Sequence, residues 1–183
     1  MNFRKILLPL AALPLLVAAQ DKYMTRTGHI EFHSSTPLEN IDAVNDKVTS
    51  VWDASTGAVE FSVLIKAFAF EKALMQEHFN ENYMESTTYP KAGFKGKVTG
   101  VSTEQLRTPG KYEVVVEGIL TMHGVEKPMK SAGTVVVDAN GTIQAISEFE
   151  VNPEDHGIKI PGMVRKNIAE QIQVKVRMDY QKM

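Results

Sequence analysis

Along residues 171–180, Ile172, Val174, Val176, Met178 and Tyr180 alternate with Gln173, Lys175, Arg177 and Asp179, and this period of two is the feature that most restricts the fold. Successive side chains of an extended chain point to opposite faces, so the run reads as a strand with one dry face and one wet face. Residues 111–121 repeat the pattern, with Tyr112, Val114, Val116, Gly118 and Leu120 set against Lys111, Glu113 and Glu117. Eight such runs are predicted, near 28–34, 46–53, 58–70, 91–101, 111–121, 130–138, 142–151 and 171–180. Strands wet on one side belong to antiparallel sheets, and eight of them in one domain make a closed barrel or a two-sheet sandwich.

The connections carry their own signals. Asn140-Gly141 predicts a two-residue hairpin turn, because both residues tolerate positive φ, and this also accounts for the glycosylation-like Asn140-Gly141-Thr142. Ala54-Ser55-Thr56-Gly57 predicts a second turn. Over residues 71–86, Leu74, Met75, His78, Phe79 and Tyr83 fall at helical spacing, predicting one amphipathic helix over an end of the sheet. Residues 152–171 read as turn residues leading, past Pro161 and Gly162, into a short helical turn.

The predicted inward faces choose between barrel and sandwich. Ala67, Ala69, Gly96, Gly100, Gly118, Ala145 and Ser147 are small, and they alternate with Phe61, Phe94, Leu120 and Phe149. An eight-stranded barrel with such gaps has room for one small ligand, unless the large neighbours fill them.

Residues 1–19 have the layout of a cleaved secretory signal peptide: Arg4 and Lys5, then an apolar run broken by Pro9 and Pro14, then Val17, Ala18 and Ala19. The run is too short to span a bilayer, which needs about 20 apolar residues. The expected division is a signal peptide over 1–19 and a single barrel domain over 20–183, in a periplasmic or secreted protein. Loss of Arg4 and Lys5 leaves 18 basic against 22 acidic residues, a mild acidity that offers nucleic acid no electrostatic footprint. With no cysteine, the domain is held together by burial alone.

Chemistry-bearing motifs are sparse. His29, Glu31 and His33 share one face of a strand, a spacing open to metal chelation but equally that of a wet strand face; with Ile30 and Phe32 inward, the three point outward and no metal is expected. No Gly-x-Ser-x-Gly, His-Glu-x-x-His or phosphate-binding glycine loop occurs, and no catalytic residue is assigned. Residues 65–97 instead concentrate aromatic and methionine side chains around the predicted helix, which suits either a lid's core or the lining of a cavity for a long apolar guest.

Those residues also carry a resemblance. HFNENYMESTTYPKAGFKGKVTGV followed by YEVVVEGILTMHGVEKPM resembles the YceI-like family, and Gly118, Leu120, Thr121, Gly124, Val125 and Pro128 match its G-x-L-T-x-x-G-V-x-x-P pattern position by position. The opening strand with Ile30, Phe32 and His33, and the later DHGIKIP, fit as well. The resemblance implies an all-β, eight-stranded, antiparallel lipocalin-like barrel with one short amphipathic helix at an end, enclosing a polyisoprenoid, an isoprenoid quinone or a similar lipid for carriage or storage. It implies no catalytic residues and no cofactor beyond such a non-covalent lipid. Many relatives have Arg-Asp-x-His near the helix end, where this chain reads Met75, Gln76, Glu77, His78, so only the histidine carries over.

The ligand-binding residues expected on this reading are His78 at the mouth and Phe68, Phe70, Phe79, Tyr83 and Phe94 as apolar lining. On the same reading Phe94→Arg empties the barrel without unfolding it. The expected partner is a long-chain lipid, with no nucleic acid and no membrane-spanning segment once the signal is removed; a homodimer is compatible with the sequence. Two rivals stand beside this reading. One is an enzyme for a hydrophobic substrate using His78 with Glu77 or Glu81, and the other a stress-related protein acting through its outer surface.

Overall fold

A computed structural model describes residues 21–183; the expected signal peptide lies outside the described residues. The strands are β1 (Lys22–Ser35), β2 (Asn40–Asp53), β3 (Ala58–Leu64), β4 (Ala69–Phe70), β5 (Lys91–Thr99), β6 (Gly110–Met122), β7 (Val125–Val137), β8 (Ile143–Val151) and β9 (Ile172–Lys182). Every pairing is antiparallel, and the order β1-β9-β8-β7-β6-β5-β3-β2 closes on itself because β2 also pairs β1. The result is a closed eight-stranded barrel, with the two-residue β4 as an extra rung on β2. Closure removes the free sheet edges that would otherwise invite aggregation.

The alternation in sequence becomes the wall. On β6, Tyr112, Val114, Val116, Gly118 and Leu120 turn inward while Lys111, Glu113 and Glu117 are exposed. On β1, Ile30 and Phe32 face the interior, so His29, Glu31 and His33 face outward. There His29 Nδ1 donates to Asp46 at 2.6 Å, His33 Nδ1 donates to Asp42, and Lys175 lies 3.5 Å from Glu31. The triad is the wet side of a wall, crossed by hydrogen bonds to β2 and an ion pair to β9.

Three expectations are corrected in detail. The run at 58–70 is not one strand: Ile65–Ala67 forms a 3-10 turn, and only Ala69–Phe70 resumes pairing. Fully buried Asn45 bridges the break by donating from Nδ2 to the Leu64 carbonyl at 2.9 Å, a group that the broken ladder no longer pairs. The predicted two-residue turn at Asn140-Gly141 is a longer loop. Only Gly141 has positive φ, and the hairpin closes through Gly141 N to Asp138 O at 3.1 Å and Asp138 N to Thr142 O at 3.0 Å. The Asp138 carboxylate accounts for the longer form, since its Oδ1 accepts from Asn140 N and Thr142 N, both at 2.8 Å. Third, of the small residues read as inward, Gly100 ends a strand with φ +100, and Ala69 is exposed on β4.

The barrel's two ends differ. One is sealed by Trp52, Met178 and Tyr180, each nearly or fully buried, with the Tyr23 and Tyr180 rings 5.9 and 5.7 Å from Trp52. Tyr180 Oη and Ser50 Oγ share a hydrogen bond of 2.7 Å, and burial pushes the tyrosine hydroxyl up to about 12 against the lowering effect of that bond. Leu106, buried on the 3-10 turn Gln105–Arg107, belongs to the same core. Asp21 ties this end together, accepting from Lys182 Nζ at 2.8 Å and from Arg107 at 3.0 Å.

The bond from Lys182, with the charges of Lys182 and Arg107 and against the penalty of burial, holds the Asp21 carboxyl below the ordinary carboxylate range. A depressed folded-state pKa stabilises the fold above the unfolded value of about 3.9 and loses that contribution as pH falls through the folded value. The melting temperature of Asp21→Asn is therefore expected below wild type at pH 7, with the gap closing toward pH 3. A gap independent of pH would rule out the ionised carboxylate as the cause.

Candidate functional site

The other end is open, and the chain's irregular segments gather there: the β1–β2 loop, the segment between β4 and β5, the β6–β7 turn and the β8–β9 connection. The predicted helix over 71–86 is present as α1 (Ala73–His78), running directly into a π-helical turn, Phe79–Tyr83. Met84 N donates to Phe79 O at 2.8 Å, the wider i to i+5 closure. Gln76 fastens this segment: its Oε1 accepts from Phe70 N at 3.3 Å, and its carbonyl accepts from Asn80 Nδ2 at 2.8 Å. The Gln76 amide thus holds α1 against β4.

The resemblance motifs meet at this end too. His123 and Gly124 form the β6–β7 turn with φ of +51 and +74, and the Tyr89 ring lies so close that a Cβ on Gly124 would come within 2.7 Å of it. His123 Nδ1 donates to His156 O at 3.2 Å and His156 Nδ1 to Val125 O at 3.3 Å, joining the turn to the Pro153–His156 turn after β8.

Between these segments lies an apolar cavity of about 490 Å³, and deeper in the barrel a smaller one of about 100 Å³. Phe79 is the hub of the larger cavity's aromatic wall, with ring centroids 5.5 Å from Phe32, 5.6 Å from Phe68 and 5.0 Å from Phe70. Tyr83 lines the same space, and burial pushes its hydroxyl above the ordinary tyrosine range. His78 lies at the rim, exposed on the last turn of α1, near Leu74, which is 61 % exposed.

Several polar groups of the lining sit toward the mouth and have partners there. Glu39 lies 3.9 Å from Lys72 and accepts from Asn167 Nδ2 at 3.1 Å; Ser34 Oγ accepts from Ala169 N at 2.9 Å.

Five of the six residues singled out in the sequence thus surround one cavity. Phe94 does not join them: it lines the smaller cavity, on the sealed side, packed against Phe61 at 6.0 Å. Sequence reasoning missed the opposite wall, built by Ile158, Ile160, Val164 and Ile168 of the β8–β9 connection. A signal was present, since these apolar residues recur at spacings of two and four between turn residues, but the segment has no strand or helix pattern long enough to assign a face.

A closed antiparallel barrel, sealed at one end and opening at the other into an apolar cavity, places the chain in the class of lipocalin-like barrels. The YceI-like domain model matches residues 19–180, and the chain belongs to that family. No curated protein matches it in sequence. Solved structures similar to it include a polyisoprenoid binding domain from Saccharophagus degradans implicated in plant cell wall breakdown, 14% identical, with a TM-score of 0.75 over 90% of this chain and 99% of that one. Burkholderia cenocepacia BcnA is 13% identical, with a TM-score of 0.69 over 85% and 96% of the two chains. The Campylobacter jejuni YCEI protein is 12% identical, with a TM-score of 0.55 over 100% and 92%. At such identities the likeness is one of fold.

Proposed function

We propose that this chain is an exported carrier or store that encloses the apolar chain of an isoprenoid or similar long-chain lipid and performs no chemistry on it. The observation that carries this reading is the apolar cavity of about 490 Å³, with several polar lining residues at its mouth. Family membership and the fold shared with a polyisoprenoid binding domain support it. Burial of apolar surface at about 25 cal/mol per Å² supplies the affinity, so the tail binds without a charged anchor.

In this reading Phe68, Phe70, Phe79 and Tyr83 hold the tail, and His78 meets the head at the mouth. The leader-like residues 1–19 support export to the periplasm or beyond. The test is native mass spectrometry of protein purified from its own host, with organic extraction of what it releases. A stoichiometric long-chain lipid is expected, and a chain that is empty and takes up no lipid on incubation overturns the proposal.

His78, being exposed, contributes orientation more than affinity. His78→Ala is expected to weaken binding of an extracted guest by less than about tenfold, the scale of one hydrogen bond. A complete loss, measured by competition with a fluorescent fatty acid, would move the main binding determinant to the mouth.

A further inference from the structure

The two cavities are stacked along the barrel, and five residues form the wall between them: Ile30, Val63, Ala92, Leu120 and Phe149 line both. Each comes from a different strand, β1, β3, β5, β6 and β8. Their neighbours show that they lie at one level. Ile65, in the 3-10 turn just after β3, lines only the larger cavity and Phe61 of β3 only the smaller, with Val63 between them; on β8 the same order is Val151, Phe149, Ser147. On β6, Met122 lies above Leu120 and Val116 below it. On β9 the level falls between Val174, which lines the larger cavity, and Val176, which lines the smaller.

We infer that this belt is the floor of the binding cavity and sets the longest chain the barrel accepts: a tail fills the space above Ile30, Val63, Ala92, Leu120 and Phe149 and stops short of the void beside Trp52. The inference rests on the lipid-binding reading and adds its chain-length specificity. Four of the five side chains are bulky and the fifth, Ala92, is paired directly with Val63, so the belt narrows the path from one cavity to the other. A close-packed interior resists added methylenes, and forcing a tail through displaces several side chains at once. Affinity therefore grows with each methylene, by about fourfold, until the tail meets the belt, and then stops growing.

The molecule carries its own reporter. Trp52 is its single tryptophan, 2 % exposed, and it lines only the smaller cavity. The experiment uses fatty acids of increasing length with bromine on the terminal carbon, which quenches tryptophan emission on contact, titrated into the wild-type protein and into Leu120→Ala and Phe149→Ala. For wild type the expected result is affinity that rises to a limiting length and then levels or falls, with Trp52 emission unchanged throughout. In either truncation the limiting length increases and the brominated tail quenches Trp52; the two lie on different strands, so one suffices if the other does not fold.

Quenching of Trp52 in the wild-type protein, affinity that climbs without a limit, or folded truncations that behave as wild type would each overturn the inference while leaving lipid binding intact. Failure of every fatty acid and of an extracted polyprenol to bind would overturn both readings.

Discussion

Replacing Phe79 by aspartate is expected to lower the affinity for a long-chain lipid by at least ~100-fold, roughly 3 kcal/mol, and to leave the barrel folded. Phe79 touches Phe32, Phe68 and Phe70 at once, so its ring joins the wall strand β1 to the chain crossing the mouth. Aspartate removes that apolar surface and points a carboxylate into the phenylalanines, with a stem too short to reach back to water as lysine or arginine would. A guest tail lying over it must strip that carboxylate of solvent without a partner, at a cost of several kcal/mol. The fold survives because Phe79 is half-buried and lies outside the barrel strands, while Trp52, Met178 and Tyr180 seal the far end untouched. Phe79→Leu, which keeps the space apolar, should bind within about tenfold of wild type. Binding is read by displacement of a fluorescent fatty acid and folding by the thermal transition. A folded aspartate variant that retains its guest would place the tail somewhere other than this cavity.

The strands were legible because each long wall strand meets water on one side and the interior on the other, so residues 111–121 and 171–180 announce themselves. Legibility fails where local chemistry cuts across that rhythm. The apolar run after Ala58 has no sequence signal for the 3-10 turn at Ile65; the break is stabilised from another strand, by Asn45. The hairpin at Asn140 is set by the Asp138 carboxylate before it, which takes two backbone N–H groups.

For the site, the aromatic cluster from Phe68 to Tyr83 was visible because local spacing brings it together. The wall from Ile158 to Ile168 was not, because that segment packs by tertiary contact in the absence of regular structure. Phe94 shows the remaining limit: period two tells that a side chain points inward, but not how far along the barrel it lies.

That depth changes what Phe94 is expected to do. Phe94→Ala should cost about 3–5 kcal/mol of stability, at the upper end for a buried aromatic truncation, without altering lipid affinity in the protein that remains folded. Phe94 is 6 % exposed, and its ring lies across the paired glycines Gly96 and Gly118 of β5 and β6. A Cβ on Gly96 would come within 2.5 Å of its Cζ, and one on Gly118 within 2.8 Å. The glycines leave the wall bare there, and the ring supplies the missing side-chain bulk, as aromatics do over glycine in sheets. Once the ring is gone, neither glycine has a side chain to collapse into the space, so the void persists and its cost stays high.

Nor do the glycines have freedom to compensate. A methyl on Gly118 would also run into the Lys95 carbonyl, so Gly118→Ala is expected to destabilise by about 1–3 kcal/mol on its own. Phe94→Arg, read from sequence as a way to empty a folded barrel, is by this geometry an unfolding substitution, because it buries an unpaired cation on the sealed side of the belt. Urea denaturation measures the loss, and lipid titration at low temperature separates it from binding. A Phe94→Ala barrel of near wild-type stability would show that the glycine pair does not depend on the ring, whereas a stable barrel that binds no lipid would return Phe94 to the guest's path and place the floor of the cavity below it.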